Sequence, residues 1–337
     1  MMVTARTSRS HPVSRDHALE LLATHYGLSG DAQRLPSEVD DTFRISATDG
    51  RRYTFKVASP DDRLDRLMFQ VGALQHLARV APHVPVPRIV GARDGRFVVA
   101  ASVAGEPCRL QLLTWLDGTP MHQALGGTVQ AHDLGQRLGE LDAALEDYRP
   151  AIPDFSLIWD LTHAESVAPW SSSIADPALR ALVDRAFDAF RDDVLPVADA
   201  LPRQVIHNDI NPHNILVDGD RISGLIDFGD IVEAWRINDL AIAIAYHIGR
   251  AGGRELMAAL SAGYGSVVRL TPAERRVLPS LVAVRLAMTV AITTRRAAEH
   301  PERADYIIRN RPVSIAGLQT LATLPDGSRD IFQGGCE

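Results

Sequence analysis

The stretch VIHNDINPHNILVDGDRISGLIDFGD, residues 205–230, decides how this chain is read. It places His207-x-Asp209-x-x-x-x-Asn214 ahead of Asp227-Phe228-Gly229. Between them, two short apolar runs flank Asp218-Gly219, a dipeptide that favours the tight turn of a β-hairpin. The 13-residue step from Asn214 to Asp227 is the length that two short strands and a turn require. One loop therefore offers Asp209 and Asn214, and the hairpin returns Asp227 to it. Phosphoryl transfer needs a carboxylate beside the acceptor hydroxyl and oxygen ligands to hold magnesium on the phosphates. Asp209 fits the base, and Asn214 and Asp227 fit the Mg2+ ligands.

Upstream, the pattern is richer in strands. A helix is expected from about Ser14 to Gly27, a residue type suited to the left-handed stop. In TFRISATDGRRYTFKVA, residues 42–58, apolar and polar positions alternate about a second turn, Asp49-Gly50. Tyr53, Phe55 and Val57 then share one face, and Lys56 projects from the other. Ser59-Pro60 reads as the start of a helix running to about Arg79. Strands are expected around Arg96–Val103 and Arg109–Leu116.

Beyond Leu116 the chain turns helical, with Leu134, Leu138, Leu141 and Leu145 spaced along one helix face. Everything after Asn238 reads as helix, with Thr271 to Glu274 as a capping box. The expected fold is α+β: an N-terminal lobe with an antiparallel sheet over residues 1–116, and a large, mainly helical lobe over 117–325. Residues 1–13 and the tail 326–337 are expected to be mobile.

The chain has 337 residues and a net charge of -7, which argues against a nucleic-acid partner and suits a cationic small molecule. Two cysteines, Cys108 and Cys336, do not suggest a disulfide framework. The longest apolar stretch, LVAVRLAMTVAI, has 12 residues and contains Arg285, short of the roughly 20 that span a bilayer. No membrane partner is expected, the cytoplasm is the expected compartment, and the oligomeric state is left open.

Taken together with HYGL (25–28), SEVDDTFRI (37–45), YTFKVA (53–58), LLTWLDG (112–118), WDL (159–161) and NDLAIAIAY (238–246), the chain resembles the aminoglycoside phosphotransferase and choline kinase-like superfamily, and within it the hydroxylysine kinases. The resemblance implies a two-lobed protein-kinase-like fold and transfer of a γ-phosphate from ATP or GTP to a hydroxyl. It implies that Lys56 contacts the phosphates, that Thr114, Trp115 and Leu116 form a hinge for the base, and that Asp239 braces the catalytic loop. Two departures stand out. Gln70 occupies the place of the glutamate that usually pairs with the lysine, leaving Asp65 as another possible partner. No glycine-rich loop is present; Ser37 and nearby backbone stand in its place, among Glu38, Asp40 and Asp41.

His207 is read as holding the loop through hydrogen bonds. Asp230, Glu233, Trp235 and Arg236 follow the DFG triplet, where an acceptor would approach, and are candidate substrate contacts. Arg285, a charge inside an apolar helix, needs a partner: a substrate carboxylate or an internal acid. Trp159 is read as lining a pocket or packing. The acceptor implied is a hydroxy amino acid such as 5-hydroxylysine, with an aminoglycoside as the alternative. Two rivals remain at this point, a nucleotide-binding pseudokinase and a zinc hydrolase built on His207, Asp209 and His213.

Overall fold

The computed structural model describes residues 12–37, 40–59, 61–153 and 155–323. Glu38, Pro60, most of the expected mobile N-terminus, Cys336 and the expected tail lie outside the described residues. The chain divides into two compact units, one reaching to Asp117 and including Arg149–Phe155, the other formed by Gly118–Tyr148 and the chain from Ser156 on.

The first unit opens with helix α1 (Arg15–Tyr26), capped by Ser14 Oγ, which accepts from His17 N at 3.2 Å. Gly27 ends it in the left-handed region at φ 68°. Val13 departs from the expectation of a mobile start: it is fully buried, and its N–H donates to Asp41 Oδ2 at 3.1 Å. The strands are β1 (Gly30–Leu35), β2 (Asp41–Ala47), β3 (Arg52–Ala58), β4 (Ile89–Val90), β5 (Val99–Val103) and β6 (Glu106–Thr114). Among the described residues they form one antiparallel sheet in the order β1-β2-β3-β6-β4, with β5 also paired to β6.

The alternation along β3 does what its pattern predicts. Tyr53, Phe55 and Val57 join Phe43, Ile45, Leu110, Leu112 and the apolar face of α1 in one core. Burial of each such side chain stabilises the unit by roughly 1.5–3 kcal/mol. Ala58 instead packs in a second, smaller cluster with Leu67 and Val71 of helix α2 (Leu64–Val80). That helix starts later than its sequence suggests. Ser59 closes a turn, accepting from Asp61 N at 3.3 Å through Oγ, and the helix begins with Arg63 as its cap.

The second unit begins with the two-residue strand β7 (Thr119–Pro120) and helix α3 (Thr128–Leu145). Leu134, Leu138, Leu141 and Leu145 of α3 are fully buried, as their spacing requires. Short helix α4 (Ala164–Val167) and α5 (Pro177–Ala189) lead to strand β8 (Arg203–Ile206). The hairpin β9 (Ile215–Asp218) and β10 (Arg221–Leu225) turns at Gly219, φ 61°. Helix α3 clamps it: Asp133 Oδ2 accepts from Ile222 N at 2.6 Å, and Gln130 Nε2 donates to Gly219 O at 3.1 Å. Strand β11 (Val232–Trp235) pairs antiparallel with β8.

Helices α6 (Ile237–Ile248), α7 (Gly253–Gly265), α8 (Pro272–Glu299), α9 (Ala304–Ile307) and α10 (Arg311–Ala322) complete the unit. The capping box of α8 is present, with Thr271 Oγ1 accepting from Glu274 N at 3.2 Å and Glu274 Oε2 accepting from Thr271 N at 2.8 Å. At 28 residues α8 is far longer than the apolar run inside it, and by length and composition it could cross a membrane. Its most apolar window is 83% buried inside the fold, as in a core helix.

Candidate active site

The loop after β8 is built on Asp239, a fully buried residue in the first turn of α6. Its Oδ2 accepts from His207 N at 2.8 Å and its Oδ1 from Asn208 N at 2.6 Å. Asn208 makes the turn at φ 66°, a left-handed conformation that asparagine tolerates better than most residues. His207 is also fully buried. Its Nε2 donates to Ile226 O at 3.0 Å, and its Nδ1 accepts from Asp209 N at 3.3 Å. One donor and one acceptor nitrogen is the neutral imidazole, consistent with burial lowering the His207 pKa to about 4. The ring lies 4.7 Å from that of Phe228, so the residue joins β8, the catalytic loop and the segment after β10.

Beneath Asp239 lies Asp142 of α3, also fully buried. Burial and then the charge of Asp239 drive the Asp142 carboxyl well up, and Asp239 is held up by burial as well. Tyr264 of α7 donates to Asp142 Oδ2 at 2.6 Å. Sequence reasoning passed over Asp142, since an acid on a leucine-rich helix face carries no local sign of its partner.

Asp209 is held by amides of its own loop. Asn211 Nδ2 donates to Oδ1 at 2.9 Å, and Asn214 Nδ2 to Oδ2 at 2.7 Å. Asn214 Nδ2 also reaches the Asp209 carbonyl at 3.0 Å. With its amide nitrogen committed, Asn214 has its Oδ1 to offer as a hard oxygen donor. Ile226 N donates to Asn214 O at 2.9 Å, which sets Asp227 beside the loop. Asp227 is exposed and left-handed at φ 63°, a strained geometry of the kind that gathers at functional sites. Its carboxylate is the second hard donor, and a carboxylate with an amide oxygen fits a divalent cation. His207, with both nitrogens engaged, does not fit a zinc site; among the described residues no three His, Cys, Asp or Glu side chains gather to hold a metal.

The Asp209 side chain is 25% exposed. Its pKa is pushed up to about 7 by burial and then by the charge of Asp230, with Asp227 adding to the rise, while Arg285 and the Asn211 hydrogen bond pull it down. A carboxylate so placed is poised to take a proton near neutral pH. Arg285 is buried, and its Nη2 lies 3.6 Å from Asp209 Oδ1, so its partner is an internal acid. Trp159, half-buried, turns its ring to the Arg285 guanidinium.

Two other expected substrate contacts are committed to the core. Arg236 is buried and binds Glu274 through both carboxylate oxygens, at 2.8 and 2.9 Å. A charge drawn into the core needs such a fork, and Arg236 is committed to Glu274. Trp235 is buried against Phe190, ring centres 6.2 Å apart. Glu233 is exposed on β11. Asp230 stays at the site through its charge on Asp209. His213 stacks on His122 at 4.1 Å, and its pKa is lowered to about 4, first by desolvation.

In the first unit, Lys56 and Gln70 are half-buried on β3 and α2, and Ser37 is exposed. Asp65 is tied to Arg63, whose Nε donates to Oδ1 at 3.1 Å. Asp41 turns inward to Arg34 and Val13, and Asp40 accepts from Ser59 N at 3.2 Å. Of the residues expected to form a hinge, Thr114 N donates to Arg88 O at 2.8 Å and Trp115 N to Arg52 O at 3.1 Å. That leaves the Leu116 N–H, among the described residues, without a protein acceptor.

This fold and loop define an enzyme that moves a phosphoryl group onto a hydroxyl. Residues 31–279 match the model of the phosphotransferase enzyme family, and the chain belongs to that family. It is 25% identical to the hydroxylysine kinase of Mus musculus over 314 residues, covering 86% of this chain and 84% of that protein. It is 32% identical to the homoserine kinase of Rhodospirillum rubrum over 190 residues, 56% of this chain and 54% of that one. Among solved structures, a microcompartment-associated aminopropanol kinase matches with a TM-score of 0.70 at 22% identity, over 89% of this chain and 98% of that one. The chain is a small-molecule kinase of this family with the protein-kinase-like fold.

Proposed function

We propose that this enzyme transfers the γ-phosphate of ATP, with GTP as the alternative donor, to the hydroxyl of a hydroxy amino acid such as 5-hydroxylysine. The observation that carries the chemistry is the Asp209 carboxylate, oriented by Asn211 and Asn214 and partly open to solvent. Asp209 accepts the hydrogen bond of the acceptor hydroxyl, aligns its oxygen for in-line attack on the γ-phosphorus, and takes up the proton. Asn214 Oδ1 and the Asp227 carboxylate would hold Mg2+, which when bound neutralises phosphate charge. Lys56 contacts the α- and β-phosphates, and the Leu116 N–H serves the base. Most of the rate enhancement comes from positioning and electrostatics.

The hydroxy amino acid is supported by two relatives, named for hydroxylysine and homoserine, which are both hydroxylated amino acids. Asp230, whose charge acts on Asp209, is assigned to the acceptor's ammonium group, and the net charge of -7 suits a cationic substrate. The cytoplasm remains the proposed compartment. The test is a panel of 5-hydroxylysine, homoserine, aminopropanol and aminoglycosides with Mg-ATP and Mg-GTP. Phosphorylation of a hydroxy amino acid is expected to exceed that of every aminoglycoside. Asp209→Ala is expected to lower kcat about 1,000-fold, leaving a measurable residual rate, while nucleotide affinity stays within about twofold. Near-normal turnover in that variant would refute the role of Asp209, and preference for an aminoglycoside would refute the acceptor.

A further inference from the structure

We propose that Arg285 is a positioning residue for phosphoryl transfer, anchoring the Asp209 carboxylate to the core of its unit from the middle of α8. The inference rests on the reading of Asp209 as the base. Among the described residues, the side chains that donate to or pair with this carboxylate are Asn211, Asn214 and Arg285. The two asparagines belong to the loop itself and move with it. Arg285 comes from another element, a long helix packed in the core, and so supplies a fixed point outside the loop.

The guanidinium is held so that it can face only this way. Its Nη1 donates to Trp159 O at 2.8 Å, and its carbon lies 5.1 Å from the Trp159 ring and 5.9 Å from the Tyr246 ring. Tyr246 Oη stands 3.5 Å from Nη2, at the edge of hydrogen-bond reach. Beside Trp159, Asp160 is buried and caps the next turn, its Oδ1 accepting from Thr162 N at 2.9 Å. Two aromatic faces and one carbonyl orient the cation without neutralising it. The carboxylate within salt-bridge distance is that of Asp209, and the buried Nε has no partner among the described residues.

A charge that served packing alone would be poorly placed here. An apolar side chain of similar volume usually fills a core position at no cost to stability, whereas a partly paired guanidinium is costly to bury. What the helix obtains is a positive charge held 3.6 Å from Asp209 Oδ1, which offsets part of the negative charge that Asp230 and Asp227 bring to the carboxylate. This resolves the choice left by the sequence: Arg285 meets an internal acid, and that acid is the one beside the reacting hydroxyl.

The test is a double-mutant cycle read with Mg-ATP and 5-hydroxylysine, or with water as acceptor if no amino acid is turned over. Arg285→Gln is expected to lower kcat about 10- to 100-fold, the scale of a misplaced catalytic group, with the KM and Kd for nucleotide within about twofold. Arg285→Lys, which keeps the charge, is expected to retain part of the loss. In an Asp209→Asn background the same Arg285→Gln change is expected to cost less than about threefold, because its effect runs through that carboxylate. An equal loss in both backgrounds, or a loss confined to nucleotide affinity, overturns the proposal. Should Arg285→Gln fail to fold, Arg285→Lys carries the same cycle with the same two outcomes. If Asp209→Asn by itself leaves kcat unchanged, the reading of the base has failed instead, and the two failures are told apart.

Discussion

Asp227 is the residue whose backbone and side chain both depart from the ordinary, left-handed at φ 63° and exposed beside a loop of buried polar groups. If it is a metal ligand, its loss should act on nucleotide binding as well as on turnover. Asp227→Ala is therefore expected to weaken Mg-ATP binding at least about tenfold, with little change for ATP in EDTA, as read by titration calorimetry. Equal affinities for Mg-ATP in the two proteins would rule out the assignment. At this scale the sequence was most informative for Asp209, Asn214 and Asp227, because their types and spacing lie within one short stretch. It was least informative for Arg236. A guanidinium that follows a DFG triplet looks available to substrate, and only the fold reveals Glu274, which caps α8 and binds Arg236 with the same carboxylate.

At the scale of elements, helices α3 and α7 meet through glycines. A Cβ on Gly263 would lie 2.0 Å from His132 O, and one on Gly135 would lie 2.0 Å from Leu260 O. The backbones touch where a side chain would stand, and this contact carries Tyr264 to Asp142 beneath the catalytic loop. In an exposed helix, Gly to Ala gains about 1 kcal/mol of stability. Here the clash reverses the sign, and Gly263→Ala is expected to cost about 3 kcal/mol, seen as a lower midpoint of urea unfolding. A midpoint at or above that of the parent would show that the helices separate at no cost. The hairpin of β9 and β10 was legible from Asp218-Gly219 and its flanking runs. The late start of α2 was not, because Ser59 spends its oxygen on a local turn that competes with the helix cap.

Over the whole molecule, pH acts through buried groups of opposite tendency. Burial lifts Asp209 and Asp239, so folding takes up protons there; burial lowers His207 and His247, so folding expels them. These effects partly cancel in the total, and a difference between variants isolates one of them. His247, buried in α6 with Nδ1 donating to Ala243 O at 2.8 Å, has its pKa lowered to about 4. The unfolded chain then binds more protons between pH 6.5 and 4, so the stability due to a neutral His247 is present above that window and lost as pH falls through it. His247→Leu should therefore gain on the parent by about 2 kcal/mol between pH 7 and pH 5. Urea unfolding at the two pH values measures this, and a constant difference would show that His247 protonates freely in the folded state.

What the sequence determined by itself is what repeats or lies close along the chain: the caps of α1 and α8, the alternation of β3, the leucine face of α3, and the loop and hairpin that carry the three oxygen-bearing residues. Each follows from the pitch of a helix, the pleat of a strand or the geometry of a turn, and these act over a few residues. The tertiary structure alone decided which buried charges meet. Arg285 found Asp209, Arg236 found Glu274, and Asp142 came to lie beside Asp239, whose charge raises it. Such pairs join residues from distant parts of the chain, and the need of a buried charge for a partner does not say which partner the fold will bring.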